Sequence, residues 1–364
     1  MTTGVLLSHA VVPLVLLLMA WLMPALTGPT LPFGVRVPAS RSDAPVIAEQ
    51  RRAYRWWVAG AGGALVILGL ALSVTGLRSL AGPLSVLAFA SVCVTAYVRA
   101  RRAIRAAKQV EGWYQGLRQA VAVDTSLRTD PEHFPWRWAV PALLVLAVTT
   151  VAAVLRYPSM PDRLPTHYNR SGVADHLAAK SVGTAFAPVF AEVGNTAVIL
   201  LVAWFAFRAR ADLDPARPTA SAFQHRRFVV RITAAVLVLA ACANLSVLLA
   251  AWPIWHGDHT VVPAVLLAPV LAGLAIVVGV AIRTGQNGSR IPVQDGQPVP
   301  GVAHRDDDRY WRLGGLFYAN RQDPAVLVSK RFGIGWTVNF ANPRTLLLVV
   351  LLVGFAVLMS LIGR

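Results

Sequence analysis

Acidic side chains and cysteines are both scarce in this sequence. The chain of 364 residues contains 17 acidic residues against 34 Lys and Arg residues, and charged residues make up only 14% of it. Because soluble proteins carry about 25% charged residues, this composition excludes a soluble multidomain protein. The two cysteines, Cys93 and Cys242, fall inside apolar runs, which is typical of small buried residues and argues against a disulfide or a metal pair.

Motifs of the common enzyme classes are absent as well. The sequence has no GxxxxGK[ST], no HExxH and no GxSxG, which argues against a P-loop ATPase, a zincin and a hydrolase with a nucleophile elbow. We therefore expect a non-enzymatic protein that uses no cofactor and holds no metal.

Long apolar runs dominate what the sequence does contain. Hydrophobic residues make up 56% of the chain, and runs of about 20 residues recur, each sufficient to cross a hydrocarbon core of about 30 Å. We predict an all-α polytopic integral membrane protein with a small cytoplasmic β-hairpin-like module. Its eight transmembrane helices are predicted at residues 4–26, 57–75, 80–98, 139–156, 186–207, 231–252, 262–282 and 345–363.

The net charge of +17 reflects where the basic residues lie. Most Lys and Arg residues fall in the loops after the first, third, fifth and seventh predicted spans. Because basic loops stay in the cytoplasm, this alternation predicts that both termini lie outside. The charge therefore does not indicate nucleic-acid binding, and the lipid bilayer is the first expected partner.

Four regions follow from this topology. They are an N-terminal three-helix membrane region with basic cytoplasmic loops, a four-helix membrane region with an ordered outer loop at 156–185, a cytoplasmic aromatic and basic module, and a final transmembrane helix. Their predicted ranges are 1–136, 137–283, 284–344 and 345–364.

Two cytoplasmic stretches leave alternatives open. Residues 31–38, LPFGVRVP, predict a short extended turn packed under the helices, or a loop that gates a substrate path. Residues 99–121 place apolar side chains at spacings of three and four, with basic residues mostly on the other faces, which predicts an amphipathic helix. This helix either continues the third span and rests on headgroups, or binds anionic lipid or a regulatory partner.

The predicted C-terminal module (residues 284–344) is rich in aromatic and basic residues. Residues 325–329 and 335–340 predict two strands joined through 330–334. The module is too small for an independent core, so we expect it to lie against the inner membrane face or the basic loops. Its aromatic side chains are of the amphipathic kind suited to the headgroup level. They are Tyr310, Trp311, Phe317, Tyr318 and Trp336.

The predicted outer loop concentrates prolines and ionisable residues. Pro158, Pro161 and Pro165 fix φ, whereas Asn169 and Gly172 tolerate positive φ, so the loop is expected to be ordered. Three interpretations remain open for its ionisable residues, namely a divalent metal site, support of the loop's own fold, and recognition of a ligand or peptide. These residues are Asp162, His167, Asp175 and His176.

In the fold-supporting interpretation, Asp175 caps a short helix that runs to Lys180, and His167 is hydrogen-bonded to the backbone. In the recognition interpretation, the outer loop binds its ligand through five candidate residues. They are His167, Tyr168, Asn169, Asp175 and Lys180.

Glu192 is the one acidic residue inside any predicted span, and Asn195 follows it one turn later on the same face. A carboxylate at this depth costs about 2.5–3.5 kcal/mol on insertion scales, so it should face the bundle interior. It is either part of a proton or cation relay or an interhelical hydrogen bond. Asn244 and His9 are expected to form packing hydrogen bonds.

Two stretches carry a resemblance to known families. The loop sequence YPSMPDRLPTHYNRSGVADHLAAKS resembles the membrane family called domain of unknown function 1648. The residues that match its pattern are Pro158, Pro161, Pro165, His167, Tyr168, Asn169, Gly172, Asp175, Lys180 and Ser181. The stretch 310–343 resembles the uncharacterised family 5808 through Tyr310, Trp311, Phe317, Tyr318, Asp323, Pro324, Gly335, Trp336 and Asn339.

The first resemblance has a functional implication. The same domain occurs in SdpI-like bacterial proteins, which give immunity to a secreted toxic peptide and signal by sequestering a repressor. The resemblance thus implies a multi-pass protein of a bacterial cytoplasmic membrane that binds a peptide or small ligand outside and a regulatory protein inside. The alternative is a proton-coupled or small-solute transporter that uses Glu192.

Overall fold

Helices form most of this chain. The computed structural model describes residues 16–73, 78–169, 171–293 and 299–362. Its longer helices are α1 (Leu16–Leu26), α2 (Pro45–Ser73), α3 (Arg78–Val110), α4 (Val140–Arg156), α5 (Ala187–Phe207), α6 (Pro218–His256), α7 (Pro263–Thr284) and α8 (Pro343–Ile362). Single helical turns at Ser126–Thr129 and Val182–Ala185 lie between them.

Five helical segments are long and apolar enough to cross a membrane. They are Leu84–Val110, Trp136–Ser159, Ala187–Phe207, Pro218–His256 and Pro263–Gly288. The chain is therefore described as a mostly helical, multi-pass membrane protein. Helices α2 and α8 coincide with two further predicted spans, whereas His9 and most of the predicted first span lie outside the described residues.

The helices form two groups. In one group α2 packs against α3, and in the other α6 lies at the centre and contacts α4, α5 and α7. Helix α8 packs against α5. Within the described ranges the two groups share no extensive helix–helix contact, so the loops at one end of the molecule connect them.

Eight short strands form four two-stranded sheets. They are β1 (Arg118–Ala120), β2 (Arg163–Tyr168), β3 (Ala174–Ala179), β4 (Val302–His304), β5 (Trp311–Arg312), β6 (Phe317–Tyr318), β7 (Leu327–Ser329) and β8 (Trp336–Val338). Strands β1 and β4 pair in parallel, and the other three pairs are antiparallel. The hairpin predicted within the C-terminal module is confirmed by β7 and β8, which are shorter than expected.

We call the end of the bundle that carries β2 and β3 the hairpin end, and the end that carries the C-terminal module the module end. Helix α6 reaches both ends. At the hairpin end Gly257, with φ of 73°, terminates α6, and Pro263 begins α7 six residues later.

The predicted short helix at Asp175 is wrong, because Asp175 lies on strand β3. Asn169 and Gly172, whose φ is +78°, form the turn that brings β3 back along β2. This antiparallel pairing satisfies backbone groups that a helix would otherwise satisfy. A helical turn begins instead after Ser181, which forms a capping box with Thr184.

The predicted amphipathic helix over 99–121 is correct only as far as Val110, where α3 ends. Gly112 and Gly116 have φ of 57° and 73°, which favour glycine and interrupt the helix, and β1 follows them. Two of its basic residues do not rest on headgroups. Arg101 and Lys108 are buried and bind groups within the protein.

The segment 31–38 packs under the helices, as expected. Phe33, Val35 and Val37 are buried together with Tyr54 of α2 and Tyr97 of α3. Their rings and methyl groups form the core beneath the first helix group. The proposal that this segment gates a substrate path stays a prediction.

Replacing Gly172 with alanine should destabilise the protein because a Cβ there would lie 2.0 Å from the Val261 carbonyl oxygen. Gly116→Ala is a matched control, since its φ is also positive but no atom lies within 4 Å of the added Cβ. We expect Gly116→Ala to cost about 1 kcal/mol and Gly172→Ala about 3 kcal/mol or more. Thermal unfolding of purified protein in detergent measures both, and equal losses would contradict the clash.

Candidate functional site

The hairpin end carries an exposed hydrogen bond between a histidine and an aspartate. His167 Nδ1 donates to Asp175 Oδ1 at 2.5 Å, and the two side chains are 67% and 45% exposed. His167 therefore binds a carboxylate, and the expectation that it bonds to the backbone is wrong. His176 lies opposite His167 in the β2–β3 pairing.

The other three predicted ligand residues hold the loop together. The Tyr168 hydroxyl donates to the Asp258 carbonyl at 2.9 Å, and Asn169 Oδ1 accepts from the backbone of Ser171 and Val173. Lys180 Nζ donates to the Met160 carbonyl at 2.9 Å. Among the five candidates, His167 and Asp175 have exposed side chains that are hydrogen-bonded to each other and not to the backbone.

The hairpin is anchored on the end of α6. Leu164 and Met160 are buried against Trp255, and the Trp255 indole donates to the Ala185 carbonyl at 2.8 Å. The hairpin is therefore packed directly against the last turn of α6.

Glu192 is sealed between α4 and α5. It is fully buried, and its Oε1 lies 2.8 Å from the Thr149 hydroxyl, which also lies 2.9 Å from the Val145 carbonyl. The Thr149 hydroxyl thus faces two acceptors and donates its single proton to the Glu192 carboxyl oxygen or to the Val145 carbonyl oxygen. Glu192 Oε2 has no hydrogen-bond partner within the described part of the chain.

Asn195 belongs to a separate interhelical contact. Its Nδ2 donates to Asn244 Oδ1 at 2.8 Å, and Asn244 Nδ2 donates to Thr196 Oγ1 at 2.8 Å and to the Ala142 carbonyl at 3.1 Å. This confirms that Asn244 forms a packing hydrogen bond, and it links α4, α5 and α6.

Asp323 and Asn339 organise the C-terminal module. Asp323 accepts two hydrogen bonds from the Arg210 guanidinium, at 3.0 and 2.9 Å, and one from the Tyr318 hydroxyl at 2.9 Å. Asn339 is fully buried, and its Nδ2 donates to the carbonyls of Asn320 and Asp323. Both residues therefore support the fold of the module.

The aromatic residues of the module do not share one environment. Trp311 and Tyr318 are buried with Val328 in its core, so the expectation that they lie at the headgroup level is wrong. Trp336 packs on Phe228 of α6 with ring centroids 5.8 Å apart. Tyr310 is half-buried, and Phe317 is exposed.

The main site that sequence reasoning missed is a buried ion network at the module end. Arg331 pairs with Asp307 and Asp308, and Lys108 Nζ lies 2.9 Å from Asp308 and 2.8 Å from Asp306. The sequence offered one indication of this network, namely the run Asp306–Asp308 in a chain with few acidic residues.

Arg36 extends this network to a second loop. Its guanidinium lies 2.9 Å from Asp212 and 3.5 Å from Asp307, and its backbone N–H donates to Asp308 at 3.1 Å. The network therefore joins the segment before α2, the end of α3, the loop after α5 and the module.

The charges of this network reinforce one another. Burial disfavours the ionised form of Asp308, but Arg331 and Lys108 overcome it and hold the pKa of that carboxyl well below its usual range. Likewise, Arg36 and His304 offset burial and lower the pKa of Asp212 to about 2. These carboxylates are ionised at every physiological pH.

A small polar cavity of about 40 Å³ adjoins the network and is lined by Arg36, Arg210, Asp212, Asp307 and Trp311, among others. Water needs about 10–15 Å³ of such volume, so the cavity has room for a few water molecules. Among the described residues, no group of three His, Cys, Asp or Glu side chains could hold a metal ion.

Two family models confirm the resemblances stated above. A model described as "Domain of unknown function (DUF1648)" matches residues 144–191, which include most of α4, the hairpin and the start of α5. A model described as "Family of unknown function (DUF5808)" matches residues 321–346, from the end of the module into α8. No curated protein and no solved structure matches the chain.

Replacing Asp308 with asparagine should strongly destabilise the protein, because it leaves Lys108 and Arg331 buried without a full counter-charge. We expect a loss of about 3–5 kcal/mol. Asp130→Asn removes an exposed pairing with Arg226, since the Asp130 side chain is 88% exposed, and should cost less than about 1 kcal/mol. Thermal unfolding in detergent compares the two, and similar losses would contradict a structural network.

The pH dependence of the same measurement has a definite sign. A carboxyl whose pKa is lower in the folded chain stabilises the fold above its unfolded pKa of about 3.9. That stabilisation is lost as the pH falls through the folded value, which is about 2 for Asp212. The unfolding temperature of Asp308→Asn should therefore depend less on pH between about 4 and 2 than that of the wild type.

Proposed function

We propose that this chain is a non-enzymatic, SdpI-like membrane sensor of a bacterial cytoplasmic membrane. In this proposal the hairpin end binds a peptide or small ligand outside the cell, and the module end engages a regulatory protein inside. The response is envelope signalling or protection from a peptide toxin. The DUF1648 match to residues 144–191 supports the part of the proposal that likens this chain to SdpI-like membrane proteins.

The observation that carries the proposal is that one helix, α6, contacts both folded ends. Its 39 residues span about 58 Å at 1.5 Å per residue, which exceeds a hydrocarbon core of about 30 Å. Trp255 fixes its last turns to the hairpin end. Phe228 and Gln224 fix its first turns to Trp336 and to the Ile291 carbonyl, in the C-terminal module.

Eight spans with both termini outside complete the proposed topology. Helices α1 to α8 lie at or within the eight predicted spans or extend them, and the basic loops fall at the module end. Because basic loops stay in the cytoplasm, the module end faces the cytosol in this arrangement, and the hairpin faces the exterior.

Ligand recognition is assigned to the exposed pair of His167 and Asp175. An imidazole and a carboxylate on one hairpin can donate to and accept from the polar groups of a peptide. Because Leu164, on the same strand as His167, is buried against Trp255, a ligand that shifts the hairpin biases the position of α6.

Replacing His167 with alanine or Asp175 with asparagine should abolish the response to ligand, because each change removes one side of the exposed pair. Membrane abundance should stay within about twofold of the wild type, since exposed ion pairs contribute less than about 1 kcal/mol. Lys180→Ala is the matched control, since it breaks backbone anchoring and should lower abundance.

The measurement is the transcriptional response of cells, or their survival, on exposure to candidate secreted peptides, with abundance quantified in the same cells. An abundance that falls in step with the response in His167→Ala would contradict a recognition role.

Glu192 Oε2, which has no hydrogen-bond partner among the residues that the structure describes, favours a second candidate function, a proton-coupled or small-solute transporter. A buried carboxyl that exchanges its proton would be the coupling site, and Thr149 would hold it between cycles.

Under this alternative, Glu192→Gln should abolish solute or proton flux in proteoliposomes, because the amide keeps the hydrogen bond to Thr149 but cannot exchange a proton. Glu49→Gln, at an exposed position on α2, is the control and should leave flux unchanged. Equal flux in the wild type and in Glu192→Gln would contradict the transporter function.

A further inference from the structure

The first helix group carries a sharp boundary between an apolar part and a basic part. The ring of Phe33 lies 5.3 Å from that of Tyr54 on α2 and 5.7 Å from that of Tyr97 on α3, so these positions share one level. Toward the module end, both helices become basic, with Arg51 and Arg52 on α2 and a cluster on α3. Toward the hairpin end, both are apolar.

The exposed basic cluster of α3 has no acidic partner within the described ranges. Arg99, Arg102 and Arg105 are exposed, and their spacing of three places them on one face of the helix. None of the three forms an ion pair with a described carboxylate, whereas Lys108 on the inward face is paired twice. The inward face of α3 thus carries a basic residue that pairs within the protein, whereas its outward face carries three exposed arginines.

Exposed tryptophans lie at the boundary level. Trp56 is 78% and Trp57 55% exposed, and both come within three residues of Tyr54. Arg52 lies one turn from Trp56 on the same face, and Arg55 stacks over the Trp21 ring at 5.8 Å. Glu49 is exposed one turn before Arg52 but forms no ion pair with it.

We propose that the module end of α2 and α3 is a binding surface for anionic phospholipid. Trp56 and Trp57 lie at the boundary between acyl chains and headgroups, where indole rings are favoured. Arg52, Arg99, Arg102 and Arg105 bind the lipid phosphates, because basic side chains near an anionic surface are attracted to it.

A soluble partner fits this surface less well than a lipid does. The tryptophans directly precede the apolar part of α2, which continues to Ser73, so whatever covers them must also adjoin hydrocarbon. A phospholipid does so with one molecule, because its headgroup and its acyl chains meet at the same level.

The test uses the full chain in detergent, with native mass spectrometry counting bound phosphatidylglycerol and phosphatidylcholine of matched acyl chains. We expect the wild type to prefer phosphatidylglycerol, and R99Q/R102Q/R105Q to lose at least about tenfold of that preference. The control R305Q/R312Q/R321Q removes the same charge from exposed positions of the C-terminal module and should change the preference less than about twofold.

Two further variants test the role of the tryptophans and guard against a variant that does not fold. W56L/W57L retains apolar surface but removes the indoles, and it should also weaken retention of phosphatidylglycerol. If the triple arginine variant does not give a monodisperse protein, R102Q alone replaces it, with R312Q as its control.

Three results would overturn the proposal. They are equal retention of the two lipids by the wild type, an equal loss in the control variant, and binding of soluble polyphosphate as tight as that of phosphatidylglycerol. The last result would show that the surface recognises phosphate on a soluble polyanion.

Discussion

The pairing of buried charges at the module end is the constraint on which the rest of the structure depends. Arg36, Lys108 and Arg331 are each at least nine-tenths buried, and such cations persist only when carboxylates meet them at close range. Asp307 and Asp308 supply those carboxylates together with Asp212. Because the two helix groups share no extensive contact within the described ranges, the α2–α3 pair is joined to the bundle around α6 through this network together with the β1–β4 pairing and the Tyr97–Phe332 ring contact.

The bundle itself uses sparse polar contacts in an apolar interior. Thr149 holds Glu192 between α4 and α5, and the Asn195–Asn244–Thr196 contacts hold α5 against α6. In a membrane, lipid tails are as apolar as leucine, so helix positions depend on packing and on such hydrogen bonds more than on burial. The polar residues in the spans therefore have a structural role even where a functional one is proposed.

Local sequence patterns were enough to predict three features of the fold, because each depends on residues close in sequence. These features are the apolar runs, the packed segment 31–38 and the hairpin of β7 and β8. The ion network was not, since Arg36 and Asp308 are 272 positions apart and local patterns do not encode such pairs. The end of α3 was misjudged because Gly112 and Gly116 outweighed the apolar periodicity. Asp175 was wrongly predicted to cap a helix, because the strand that contains it is stabilised by pairing with β2 and not by its own local sequence.

The position of the acidic run near the end of the chain has a consequence for biogenesis. Arg36 and Lys108 are translated long before Asp307 and Asp308, and N-terminal regions fold first during synthesis. Arg36 and Lys108 therefore leave the ribosome before the carboxylates of Asp307 and Asp308 exist, and these two cations stay without those counter-ions until the acidic run is made. A chain that ends before this run would leave Lys108 without either of its two carboxylate partners.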